Sequence, residues 1–188
     1  MTRIFLYSLF YVYMIFFIDI AFLNEVFHGE FIDDSIQFKH IVHFQIIPFE
    51  TIKDYLYGSM EKMLEQMQTK EVVPPHLIES YWEENTRNAI RVIGGNIALF
   101  IPFGFLLPFL TQGKITLKNS ILWAIGLAFC KEFLQAILVI EFYFLLQYKV
   151  YFAFDIDDII LGSLGFLLGF FLYKIYIKIL PTLKKLQR

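Results

Sequence analysis

Four stretches of the chain are almost continuously apolar: 4–23, 92–110, 117–140 and 159–180. Each holds roughly 20 residues, and a helix of that length rises about 30 Å, one hydrocarbon core. The pattern predicts an all-α membrane protein, a four-transmembrane-helix bundle. A long, mixed segment, 24–90, separates the first run from the second and predicts an external loop that is partly helical. Within it Ile52, Tyr55, Leu56, Met60, Met63, Leu64 and Met67 recur at helical spacing behind Thr51 and Asp54, a weak capping pair. Pro74 and Pro75 interrupt that pattern, and a second helical stretch, 77–91, leads into the second run. These two stretches either lie flat on the membrane interface or pack on each other as a small external pair.

Punctuation inside the runs refines the picture. Phe22-Leu23-Asn24-Glu25 offers no small-residue cleavage site, so the first run reads as an uncleaved anchor, with Asp19 reaching the interface near its outer end. Pro102 and Pro108 remove backbone donors and kink the second run, which neighbouring helices must compensate. Gly162, Gly165 and Gly169 mark one face of the fourth run, and Gly165-xxx-Gly169 is a spacing that lets another backbone approach closely. Pro181 is expected to end that helix.

Composition agrees with lipid as the solvent. The chain is 57% hydrophobic and 19% aromatic, with 23 Phe in 188 residues, above the 45–50% apolar content usual for soluble domains. The net charge of −2 says nothing about nucleic acid by itself, but no basic patch suits a phosphate backbone, so no nucleic-acid partner is expected. Cys130, the single cysteine, excludes an internal disulfide and is expected as an inert packing residue. His28, His40, His43 and His76 all fall in the external segment without H-E-x-x-H spacing, so neither a metal nor another cofactor is implied.

Charge also sets orientation. Arg3, the Lys114–Lys118 link and the Lys184, Lys185 and Arg188 tail are basic and belong in the cytoplasm. The segment 24–90 carries 12 acidic and 5 basic residues, and the link between runs three and four is acidic; both belong outside. The expectation is a multi-pass protein of the cytoplasmic membrane with both termini cytoplasmic.

Ionisable residues inside membrane runs are costly and usually face a bundle interior. Glu132 and Gln135, at i and i+3, share a face of the third run and lie about 22–27 Å above its start, in the outer half of the core. Asp155 and Asp158 open the fourth run, where a helix dipole favours acids. Arg87 and Arg91 share a face before the second run, and Asn96 follows inside it. Arg87, Arg91, Asn96, Glu132, Gln135, Asp155 and Asp158 are therefore expected to converge near the outer leaflet. Such a cluster can fasten the bundle, bind a polar external ligand, or do both. Lys131, about 100° around the helix from Glu132, either neutralises an aspartate or snorkels outward.

Three sequence blocks resemble the VanZ-like family of bacterial membrane proteins. Gln45-Ile46-Ile47-Pro48-Phe49-Glu50-Thr51-Ile52 is similar to its N-L-I-P-F-x-T-I segment. The stretch from Asn96 through Pro102, Gly104 and Pro108 is similar to N-I-x-L-F-x-P-x-G-F-L-L-P. Glu132-xx-Gln135, Asp155-xx-Asp158 and Gly165-xxx-Gly169 resemble the end of the domain. The resemblance divides the chain into an anchor with the start of the loop (1–43), a VanZ-like domain (44–173) and a tail (174–188). Two departures stand out. No Arg precedes Asp155, where the family often has Gly-Arg and only Lys149 is near, and Gly162 replaces a frequent Asn. The resemblance implies envelope function or low-level resistance to teicoplanin-type glycopeptides, and carries no catalytic residues.

A non-enzymatic protein at the outer membrane face is therefore the favoured reading. Its partners would be the lipid bilayer and a glycopeptide or a lipid-linked cell-wall precursor, with self-association through the Gly-rich face left open. The competing readings are an intramembrane enzyme on a lipid-linked precursor, with carboxylates as acid, base or Mg²⁺ ligands, and an accessory subunit of a transporter.

Overall fold

The computed structural model describes residues 3–23, 30–31, 42–58, 75–146, 148–149 and 152–186. Helix α1 (Arg3–Ile18) closes with a π-helical turn, Asp19–Leu23. After the short strands β1 (Glu30–Phe31) and β2 (Val42–Gln45) comes helix α2 at 50–58. Helix α3 (Pro75–Ala89) begins on proline, whose missing N–H costs nothing at a first helical position. It runs through a π-helical turn, Ile90–Gly94, into α4 (Gly95–Leu110) without a non-helical residue between. Helix α5 (Leu117–Leu146) follows a tight turn, then strands β3 (Tyr148–Lys149) and β4 (Phe152–Asp155), and finally α6 (Ile156–Leu186).

Four helical spans are long and apolar enough to cross a membrane: Ile4–Leu23, Trp82–Leu110, Leu117–Leu145 and Ile156–Ile179. Most residues of each span are not buried against the rest of the protein. That outward apolar surface is what lipid would cover. The four-helix architecture matches the expectation from sequence, with three differences. Helix α6 continues through Pro181 instead of ending there. Cys130 is exposed on the outer face of α5 and does not pack in the core. The external segment contributes strands as well as helix: β1 pairs antiparallel with β3, and β2 pairs parallel with β4 in the register Val42↔Phe152 to Gln45↔Asp155. Of the predicted helix 51–67, the part beyond residue 58 lies outside the described residues.

Close backbone contact between α4 and α6 organises the bundle. A Cβ at Gly165 would overlap the carbonyl of Ile97, one at Gly169 the carbonyl of Ile101, and one at Gly104 the carbonyl of Phe166. The contact order rises together along both helices, so α4 and α6 run parallel. Small residues serve this purpose in membranes, where association rests on packing and not on expelling water. Gly162 faces the ring of Phe100, whose carbons would lie 2.9 Å from an added Cβ. That contact accounts for glycine where an Asn was expected. The core joins Phe17, Phe100, Phe103 and Phe166 with Ala21, Ala124 and Ala128. Phe17 meets Phe100 and Phe103 edge-on at 5.6 and 4.9 Å, a geometry that contributes about 0.5–1.5 kcal/mol per pair beyond area burial. Tyr13 donates from its hydroxyl to the Leu99 carbonyl, tying α1 to α4 one turn before Pro102.

The turn at 111–116 ends α4 with left-handed residues Gln112 (φ 57°) and Gly113 (φ 73°). Gly113 donates its N–H to the Pro108 carbonyl at 2.8 Å, and Thr111 caps the Leu107 carbonyl from both its N–H and its hydroxyl. Ile115 packs on Phe170 and Tyr173, so this turn and the Tyr173–Lys174 level of α6 mark one end of the bundle.

Candidate functional site

At the opposite end, three helices bring polar groups together because each has a polar residue at the same height. Asn96 begins α4, Lys131 and Glu132 lie midway along α5, and Asp158 sits in the first turn of α6. Lys131 is the hub. Its ammonium donates to Glu132 Oε1 at 2.7 Å, Asp158 Oδ2 at 3.3 Å and Asn96 Oδ1 at 3.3 Å. An ammonium has three donors, and all three are engaged. Asn96 returns its amide N–H to Asp158 Oδ1 at 2.6 Å. Lys131 and Glu132 are buried, with 6% and 1% side-chain exposure, whereas Asp158 retains 21%.

Two further aspartates surround this quartet and act as helix caps. Asp155 precedes α6, and its Oδ1 accepts the N–H of Asp157 at 2.8 Å, an N-cap contact. Its own N–H approaches Glu132 Oε2 at 3.5 Å. Asp157, fully buried, reaches instead to the external segment. Its two oxygens accept the backbone N–H groups of Phe49 (2.5 Å) and Ile52 (3.1 Å), at the amino end of α2. Negative charge is favoured there by the helix dipole. The parallel β2–β4 pair brings Gln45 beside Asp155, so 42–58 lies against the start of α6, next to the quartet.

The structure thus gathers Asn96, Glu132, Asp155 and Asp158 at one level. Gln135 is at the same end but turns toward the first helix, donating to the Ala21 carbonyl at 2.7 Å. Arg87 and Arg91 are exposed, and among the described residues neither joins the cluster. The cation is Lys131, which sequence reasoning left between two outcomes. Its stem swings the ammonium back over Glu132 and Asp158, and the cost of a lysine in an apolar run was the signal that it must be paired. Asp157 was also passed over; its role depends on a tertiary contact with α2 that local spacing does not encode. Lys131 pairs with both Glu132 and Asp158, the cation contact made here without an arginine before Asp155.

No group of three or more His, Cys, Asp or Glu with metal-holding geometry occurs among the described residues. The arrangement is suited to holding helices in register and to presenting one partly exposed carboxylate, Asp158, together with the half-buried amide of Asn96. The family model described as VanZ/LLP1 matches residues 4–177. No curated protein and no solved structure matches the chain.

Proposed function

Because the chain belongs to the VanZ/LLP1 family, we propose that it is a non-enzymatic membrane protein of envelope function or low-level glycopeptide resistance. It acts at the outer face of the cytoplasmic membrane, with both termini in the cytoplasm. There it binds an amphiphile, a teicoplanin-type glycopeptide or a lipid-linked cell-wall precursor. The amphiphile's apolar tail lies in the leaflet, and its polar group meets Asp158 and Asn96. The observation that supports this is the uneven exposure of the quartet: Asp158 stays accessible while its partners are enclosed.

The test uses Asp158→Asn and Glu132→Gln, near-isosteric changes, in a strain whose glycopeptide susceptibility depends on this protein. The proposal expects folded, membrane-inserted variants and increased susceptibility, with Asp158→Asn the more affected. Folded variants that leave susceptibility unchanged would remove the binding role. Turnover of a lipid-linked precursor by the purified protein, abolished in Glu132→Ala, would replace it with catalysis.

A further inference from the structure

The segment 42–58 turns most of its large apolar side chains outward. Phe44, Ile46, Ile47 and Phe49 are 68%, 67%, 59% and 61% exposed. On a water-facing loop such a patch would be a liability. Its height in the bundle gives it a different setting. The Leu117 end of α5, with exposed Lys114 and Lys118 beside it, begins one membrane-length span, and Ile156–Ile179 of α6 forms another. At 1.5 Å per residue Phe129 lies about 18 Å up α5 from Leu117, inside a core about 30 Å thick, and Asp157 is the second residue of the α6 span.

Both residues hold the segment at that depth. Phe44 of β2 meets the ring of Phe154 at 6.2 Å, Phe154 meets Phe129 at 6.1 Å, and Phe129 stacks on Phe133 at 6.2 Å. Phe129 and Phe133 are half exposed on the outer, lipid-facing side of α5. The apolar surface of 42–58 is therefore continuous with the lipid-facing surface of a spanning helix. The backbone tells the same story. Helix ends inside lipid need internal acceptors because no water can serve them. The amino end of α2 has one in the fully buried Asp157. Phe49 is held at φ 68°, a left-handed backbone that bulky residues rarely adopt, between those two bonds.

We infer that 42–58 is a hook embedded in the leaflet opposite the 111–116 turn, anchored by Asp157, with Phe44, Ile46, Ile47 and Phe49 in contact with lipid acyl chains. The inference is independent of any ligand at Asp158. It is tested with the full chain in a Cys130→Ser background, reconstituted in phosphatidylcholine–phosphatidylglycerol vesicles. Nitroxides are placed singly through Ile46→Cys, Ile47→Cys, Gln112→Cys and Ile125→Cys. Collision with oxygen, which partitions into lipid, is compared with collision with a water-soluble nickel chelate.

The expected oxygen-to-nickel ratio at 46 and 47 lies between the low value at 112 and the high value at 125. Adding Asp157→Ala should shift 46 and 47 toward the value at 112 and leave 125 unchanged, which also reports that the bundle is intact. A ratio at 46 and 47 equal to that at 112 would overturn the embedding, as would protection from both reagents, the sign of a protein cover. An unmoved ratio in Asp157→Ala would overturn the anchoring.

Discussion

Replacing Lys131 by methionine keeps the length of the side chain and removes the ammonium at the centre of the quartet. Glu132, 1% exposed, then loses its 2.7 Å ion pair, and Asp158 loses its 3.3 Å one. Breaking a buried pair by deleting one partner generally costs about 3–5 kcal/mol, because the other charge is left uncompensated. Here the cost falls near 3 kcal/mol, at the low end of that range. Asp158 keeps the Asn96 amide at 2.6 Å, and Glu132 keeps the longer approach of the Asp155 N–H. The triple variant Lys131→Met/Glu132→Gln/Asp158→Asn should recover most of that loss, since neutral isosteres leave no unpaired charge behind. Reversible unfolding in mixed detergent micelles measures both. If Lys131→Met stays within about 0.5 kcal/mol of the parent, the range of an ordinary surface change, the ammonium is not the hub. If the triple variant is no more stable than the single one, the loss did not come from stranded carboxylates.

The glycine contacts offer a paired comparison. Gly165→Ala pushes a methyl into the Ile97 carbonyl, where neither backbone can yield, and should cost at least about 1–3 kcal/mol. Gly126→Ala, with nothing within 4 Å of the new methyl, should be neutral or up to about 1 kcal/mol stabilising; equal effects in the same unfolding assay would refute the α4–α6 contact. Gln135→Leu removes the donor to Ala21 and should cost about 0.6 kcal/mol, the average for hydrogen bonds between membrane helices, and no more than about 1.7 kcal/mol. The variant should also raise the mobility of a spin label at exposed Ile20, and an unaltered spectrum would count against that tie.

What could be read from sequence followed physical periodicity. Span lengths follow bilayer thickness, so runs 4–23 and 159–180 fall close to the observed spans Ile4–Leu23 and Ile156–Ile179, whereas run 92–110 is only the later part of Trp82–Leu110. The Gly165-xxx-Gly169 face found its close backbone partner because only residues without a side chain permit that approach. Asn96, Glu132, Asp155 and Asp158 were legible as a group since polar residues in apolar helices seek one another. Helical geometry alone left Lys131 between pairing with an aspartate and snorkelling outward, because an angle at Cα ignores a four-carbon stem; the pairing is what the structure has. Arg87 and Arg91 share a face as expected, yet that face is exposed. The β2–β4 pair left no sequence signal strong enough to find. Val42-His43-Phe44-Gln45 does alternate apolar and polar, but over only four residues, and it becomes a strand because the loop returns to pair with Phe152–Asp155. Pro181 likewise shows that a proline can be carried within a helix whose context holds it.

Whether the Asp158 opening meets the outside of the cell decides the functional account. A cysteine at Gln112, on the turn at the other end of the bundle, in a Cys130→Ser background reports this directly. In intact cells it should ignore a membrane-impermeant thiol reagent and react only after lysis. Labelling at Gln112 from outside would place the polar quartet on the cytoplasmic side and contradict an extracellular ligand.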